Sequence, residues 1–204
     1  MKITVIGHGN VGGALIRKWA KSGHQIVIGA RNPEDQSAKE LNQFDSKISV
    51  TSIVESIQNT DVIVIAIPAH LTADLAKQLG NLRGRVLIDT TNSVFQKPDP
   101  YPTAFDAFQQ ITEADVVKCF NSTGVENMNN SDYNGVRADM FVAGNSKKGK
   151  EIAVQLSKDA GFPECYDFGG DDKVVLLEQL CAIWINLAMM QGLGRHIAFK
   201  LLKR

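Results

Sequence analysis

A short β-branched run, Ile3-Thr4-Val5-Ile6, leads straight into the turn Gly7-His8-Gly9-Asn10-Val11-Gly12. β-Branched residues favour a strand. Val11, Leu15 and Trp19, spaced by four, give the next segment the apolar stripe of a helix. Strand, glycine turn and helix in this order constrain the fold more than any other feature of the chain. Glycines spaced GxGxxG mark only a turn when they stand alone, but between a strand and a helix they form a dinucleotide-binding fingerprint. The first glycine permits the tight turn, the second leaves room for a pyrophosphate, and the third lets the helix approach the strand. The phosphates then rest on N–H groups at the positive end of the helix.

Farther along, β-branched runs alternate with helical patterns, as in a parallel sheet with crossover helices. Strands are expected at residues 25–28, 48–51, 61–67, 85–89, 115–120 and 140–143. The run 61–67 is apolar on both faces, as a central parallel strand must be, and Pro68 stops it. Helices are expected at 71–79, 104–111 and 148–160, with a proline-rich loop between Phe95 and Tyr101. A longer helix over 171–190 carries Leu177, Leu180, Cys181, Trp184, Leu187 and Ala188 at 3.6-residue spacing, and 196–204 reads as a basic final turn or two. The expected fold class is α/β, a Rossmann doubly wound, mostly parallel sheet with a short C-terminal helical segment. Residues 1–145 are expected to form the nucleotide-binding Rossmann domain, and 146–204 an α/β extension that ends in helices and packs on the same core.

Lys plus Arg number 22 and Asp plus Glu number 22. This balance makes no electrostatic case for a nucleic-acid partner or an anionic membrane surface, so an anionic ligand needs a local site. No stretch approaches the roughly 20 consecutive apolar residues of a membrane span, and the N-terminus lacks a signal-peptide pattern. A cytoplasmic location is the resulting expectation. Cys119, Cys165 and Cys181 are odd in number and far apart, which fits reduced thiols and no metal site.

The end of the second strand bears on the cofactor. Sites for NAD place Asp or Glu about 20 residues past the glycines, to hold the ribose 2′-hydroxyl. Here the residues are Gly29-Ala30-Arg31-Asn32. A guanidinium can bind a 2′-phosphate through charge-assisted hydrogen bonds, and Asn32 adds a neutral donor. NADP(H) is therefore expected over NAD. The other reading of Arg31 is that it caps the strand or stacks on adenine.

Taken together, Ile6-Gly-His-Gly-Asn-Val-Gly12, Ile28-Gly-Ala-Arg-Asn32, Ala66-Ile67-Pro68, Asp89-Thr90-Thr91-Asn92 and Lys118-Cys-Phe-Asn121 resemble the deazaflavin (coenzyme F420)-dependent NADP oxidoreductase family. That family is similar to the cytosolic reductase domain of membrane ferric reductases and, more distantly, to pyrroline-5-carboxylate reductases. The resemblance implies NADP(H) along the carboxyl edge of the sheet, with hydride passing between nicotinamide and a planar acceptor such as a deazaflavin or flavin. It implies that Ala66, Ile67 and Pro68 line the nicotinamide side, and that Asn92 and Asn121 reach the ribose, the carboxamide or the acceptor. Two departures from the family pattern, Ala30 where a Ser is common and Glu34-Asp35 just beyond, imply a modest preference for NADP.

The remaining candidates carry two readings each. His70 could donate a proton beside the nicotinamide, but a solvent-facing residue at a helix start is preferred. His8 matters more for its backbone than its ring, and His24 and His196 read as surface residues. Asp89 more simply caps a turn than acts as a base. Trp184 and Met189-Met190 read as core or dimer contacts of an amphipathic helix rather than a cofactor wall. Cys119 reads as a small apolar residue. No catalytic residue can be named, because hydride transfer between two planar rings asks the protein only to position them and exclude water. Three alternatives remain: a reductase of a small imine or carbonyl, a non-catalytic NADP sensor, and an electron-transfer partner. The stripe over 171–190 is expected to build a homodimer, its rival being that it packs back across the sheet edge within one chain.

Overall fold

Ile3, Val5 and Ile6 are buried, so the first strand must lie inside a sheet covered on both faces. In the computed structural model, which describes residues 1–204, β1 (Lys2–Ile6) pairs in parallel with β2 (Gln25–Ala30) on one side and β4 (Val62–Ile65) on the other. Outside β2 lies β3 (Ile48–Ser52); outside β4 lie β5 (Val86–Asp89) and β6 (Asp115–Cys119), all parallel. The order 3-2-1-4-5-6 is that of the doubly wound dinucleotide-binding fold. Two further strands extend it: β9 (Met140–Ala143) runs antiparallel to β6, and β10 (Cys165–Gly169) runs parallel to β9. A separate hairpin joins β7 (Asp132–Tyr133) to β8 (Val136–Arg137).

Helices cover both faces. They are α1 (Asn10–Lys21), α2 (Gln36–Phe44), the short α3 (Ile53–Ser56), α4 (Thr72–Leu79), α5 (Ala104–Thr112), α6 (Val125–Asn129), α7 (Lys147–Asp159) and α8 (Val174–Ile185). On one face Trp19 is fully buried, meets Phe120 edge-on at 5.6 Å, and donates its indole N–H to the Leu156 carbonyl at 2.9 Å. The fit of α1 against α7 therefore rests on one aromatic with a satisfied polar handle. On the other face Phe105 and Phe108 of α5 pack with Leu75 and Leu79 of α4. A capping box between Thr103 and Asp106 fixes the start of α5.

The C-terminal part belongs to the same sheet. Strand β10 supplies its outer edge, and α7 packs on β6 and β9. The expectation that the extension ends in helices needs correction. After α8 a single π-type turn, Asn186–Met190, closes the helical stretch, and 195–204 run without helix. This tail is tied down by backbone acceptors and one carboxylate. The Ile197 carbonyl accepts from Trp184 Nε1 and Asn127 Nδ2, both at 2.7 Å. Asp139 accepts from Lys200 Nζ at 2.6 Å and from the Leu201 N–H at 2.7 Å.

The apolar stripe of α8 also differs from expectation. Leu177, Cys181, Trp184 and Ala188 are buried within their own chain, as the intrachain rival foresaw. A second apolar face remains open, with Val175, Leu176, Ile183, Met189 and Met190 each about half exposed or more. By length and composition alone the stretch Asp171–Met190 is apolar enough to cross a membrane, which the sequence reading did not anticipate. In the folded chain its inner face carries Glu178 into an ion cluster inside the protein. His24 is likewise not a surface residue: its ring lies 2.8 Å from Asp159 and 3.2 Å from the N-terminal amine, and only 8% of the residue is exposed.

Candidate functional site

In an open parallel sheet a ligand crevice forms outside the carboxyl ends of the strands, where neighbouring connections leave in opposite directions. Here that point lies between β1 and β4. A crevice of about 1160 Å³ opens there, lined by Ile6 to Asn10, Gly29 to Asn32 and Ala66 to Pro68. Three segments picked out in the sequence thus meet at one sheet edge. Val11 and Gly12 stand at the start of α1, beneath the loop.

The glycines divide by function. Gly7 has φ +101°, and a Cβ there would stand 2.3 Å from the Ala66 carbonyl oxygen. A Cβ on Gly12 would meet the Gly7 carbonyl oxygen at 1.9 Å. Both are required by the fold itself. Around Gly9, by contrast, an added Cβ finds nothing within 4 Å. Nothing in the protein demands glycine there, and the space in front of the helix is open, as a pyrophosphate would require. Gly9 is also the N-cap of α1, with no side chain capping the helix and no acid in its first turn. The positive helix end is left for an anion.

At the far end of the loop Arg31 and Asn32 line the crevice beside Asp35, Ser37 and Glu40. Asp35 caps α2: its Oδ1 accepts from the Ser37 N–H at 3.1 Å. That hydrogen bond is the main cause holding the Asp35 carboxyl below the usual carboxylate range, with the His8 ring contributing. His8 Nε2 lies 3.5 Å from Asp35 Oδ2, so its ring is not the bystander that the sequence suggested.

Asn92 and Asn121 are brought together, but by bonding to one another. Asn121 Nδ2 donates to Asn92 Oδ1 at 2.9 Å, and Asn92 Nδ2 donates to the Asn121 carbonyl at 3.0 Å. Neither is among the residues lining the crevice. Asn121 Oδ1 is buried without a partner, as is Thr91 Oγ1. His70 is exposed and does not line the crevice, which agrees with its solvent-facing reading.

Sequence reasoning missed an ion cluster behind this edge. Lys118 Nζ lies 2.7 Å from Asp89 Oδ2 and 2.6 Å from Glu178 Oε1, and it donates to the Thr91 carbonyl at 2.9 Å. Burial disfavours the ammonium, but Asp89 and Glu178 outweigh it and the Lys118 pKa is raised. Asp89 also accepts from the Thr91 N–H at 2.8 Å, the turn-capping role expected of it. Glu178 accepts from the Ser93 N–H at 3.0 Å, tying α8 to the loop after β5. Arg17, one helical turn from Gly13, was missed as well although the spacing is legible; it lines the crevice.

A doubly wound sheet with a glycine turn at its switch point is the architecture shared by dinucleotide-binding reductases and dehydrogenases. Residues 2–93 match the protein-family model described as NADP oxidoreductase, coenzyme F420-dependent, which bears out the resemblance read from the motifs. The chain is similar to the F420-dependent NADP reductase of Methanocaldococcus jannaschii, 24% identical over 207 residues and 92% of each chain. It is 22% identical to the metalloreductase STEAP3 of Rattus norvegicus over 79% of this chain, spanning about a third (32%) of that longer protein. In fold it matches a crystal structure from Arthrobacter sp. FB24, provisionally assigned as an F420-dependent NADP-reductase, with a TM-score of 0.81 over the whole of both chains at 24% identity. These likenesses are to NADP-dependent oxidoreductases, and they leave the hydride acceptor open.

Proposed function

We propose that the chain transfers hydride between NADP(H) and a planar deazaflavin or flavin-like acceptor. The observation that carries this reading is the makeup of the crevice beyond the phosphate cradle. Past Pro68 the wall continues through Leu71, Leu75 and Val125, with Asp74, Gln78 and Asn129 among them. Leu71, Leu75 and Val125 on this mixed flank suit a flat ring, and no lysine, tyrosine or histidine stands on it to protonate an imine or carbonyl product. When bound, the nicotinamide supplies the hydride chemistry. The protein's own part is to hold two rings in contact and keep water away. Gly9 and the first turn of α1 receive the pyrophosphate, Ala30 to Asn32 the adenosine end, and Ala66 to Pro68 flank the nicotinamide.

The reading extends to the assembly and the compartment. The open face of α8 fits a second copy of the chain, and the absence of a cysteine pair pattern fits a reducing cytoplasm. The test of function is an acceptor screen. NADPH oxidation is followed with a deazaflavin, flavin mononucleotide, a ferric chelate and small cyclic imines. Turnover with a deazaflavin or flavin well above the others is expected; turnover with imines alone overturns the reading.

A further inference from the structure

The adenosine end of the crevice contains an electrostatic conflict. Arg31 is suited to a 2′-phosphate, but Asp35 beside it is an acid of the kind that repels one. The crevice is lined by two permanent cations, Arg17 on α1 and Arg31 after β2. Against them stand three carboxylates, Asp35 before α2, Glu40 on α2 and Asp74 on α4. The remaining ionisable side chain lining the crevice is His8, in the loop after β1. Its side chain is 16% exposed and faces Asp35, which is 48% exposed, across 3.5 Å. Its other ring nitrogen, Nδ1, is buried and has no partner in the chain.

We propose that His8 is a specificity-determining residue whose imidazolium form neutralises Asp35, so that preference for NADPH over NADH rises as the pH falls. This rests on the reading that the 2′-phosphate lies against Arg31. With the ring neutral, the Asp35 charge opposes the phosphate. A proton on the ring offsets that charge and makes both ring nitrogens donors. Imidazole is the side chain whose charge changes near neutral pH. The 2′-phosphate itself takes up a proton near pH 6, as phosphomonoesters do, which works in the opposite sense. The variant comparison removes that term, because it is common to all forms of the protein.

The test measures dissociation constants for NADPH and NADH by fluorescence titration from pH 5.5 to 8.5. Wild type is compared with His8→Gln and Asp35→Asn, the latter keeping the helix cap. The NADH-to-NADPH ratio is expected to climb, on acidification, about fivefold more in wild type than in His8→Gln, the size of one charge pair near a wet surface. Asp35→Asn should raise the ratio at pH 8 and flatten its pH dependence. An identical pH slope in His8→Gln, or an unchanged ratio at pH 8 in Asp35→Asn, overturns the proposal. Arg31→Ala separates the underlying reading: an unchanged ratio in that variant means the 2′-phosphate lies elsewhere, and the proposal falls with it.

Discussion

Lys118 Nζ and Glu178 Oε1 stand 2.6 Å apart although the residues are separated by 60 positions in the chain. The contact joins the sixth strand to the C-terminal helix, and with Asp89 it forms a cluster nearly sealed from solvent. Taking charges out of water is costly unless they are paired, so the cluster holds only while all three members are present.

Removing the cation should therefore damage stability more than its single hydrogen bonds suggest. In Lys118→Met two carboxylates remain buried without a counter-charge, and the expected loss is about 3–5 kcal/mol. Denaturant unfolding followed by circular dichroism measures it. Lys118→Met with both Asp89→Asn and Glu178→Gln should recover part of that loss, since the stranded charge is gone. A single variant as stable as wild type would mean the cluster is not buried as described.

Two glycines of the loop after β1, Gly9 and Gly12, should separate in their effects. The Cβ of Gly9→Val meets no protein atom within 4 Å, so the fold should survive while affinity for NADPH falls by at least a hundredfold. Gly12→Val, whose Cβ would stand 1.9 Å from the Gly7 carbonyl oxygen, should lose the fold itself. Thermal melts beside NADPH titrations distinguish the two. A Gly9→Val protein that is folded and binds normally would show that the pyrophosphate is not held there.

How far the sequence foretold this architecture depends on the range of the interaction concerned. Strands β1, β4 and β9 and helices α1 and α7 are carried by local apolar periodicity, and the structure places them within a residue or two of expectation. The loop Gly7–Gly12, Ala30–Asn32 and Ala66–Pro68 were legible because short motifs mark them. Strand β10 was missed because Cys165-Tyr166-Asp167-Phe168-Gly169 is half-buried at the sheet edge and has no strong pattern. The partnership of His24 with Asp159 and of Lys118 with Glu178 leaves no local trace at all. Burial of a charge is decided by what folding brings to it, and spacing along the chain says nothing of that.

The cysteines should react in a fixed order. Burial pushes the Cys119 thiol well above its ordinary value and the Cys181 thiol up to about 11. Cys165 is shifted the other way, chiefly by a hydrogen bond from Cys119, and it lines a second cavity of about 460 Å³ together with Lys147, Lys150 and Asp167. A lower pKa means more thiolate at neutral pH, and the thiolate is the reactive form. Iodoacetamide at pH 7.5, followed by peptide mass spectrometry, should label Cys165 first, with the other two protected until the protein unfolds. Equal labelling of all three in the native protein would contradict this order.

The open face of α8 leads to the last expectation. Val175, Leu176, Ile183 and Met190 recur on one side of the helix, and each is about half exposed or more. The opposite side already buries Leu177, Cys181 and Trp184, so one chain cannot cover both. Monomers rarely leave a contiguous apolar patch of several hundred Å², and a single helix face can meet its own copy about a two-fold axis. A homodimer built on this face should give a light-scattering mass near twice the chain's 22.3 kDa. Ile183→Glu places a like charge on both sides of the contact and should yield the monomer at micromolar concentration. That variant should keep its affinity for NADPH, because Ile183 does not line the crevice. A wild-type protein that scatters as a 22.3 kDa species would remove the dimer while leaving the cofactor site as described.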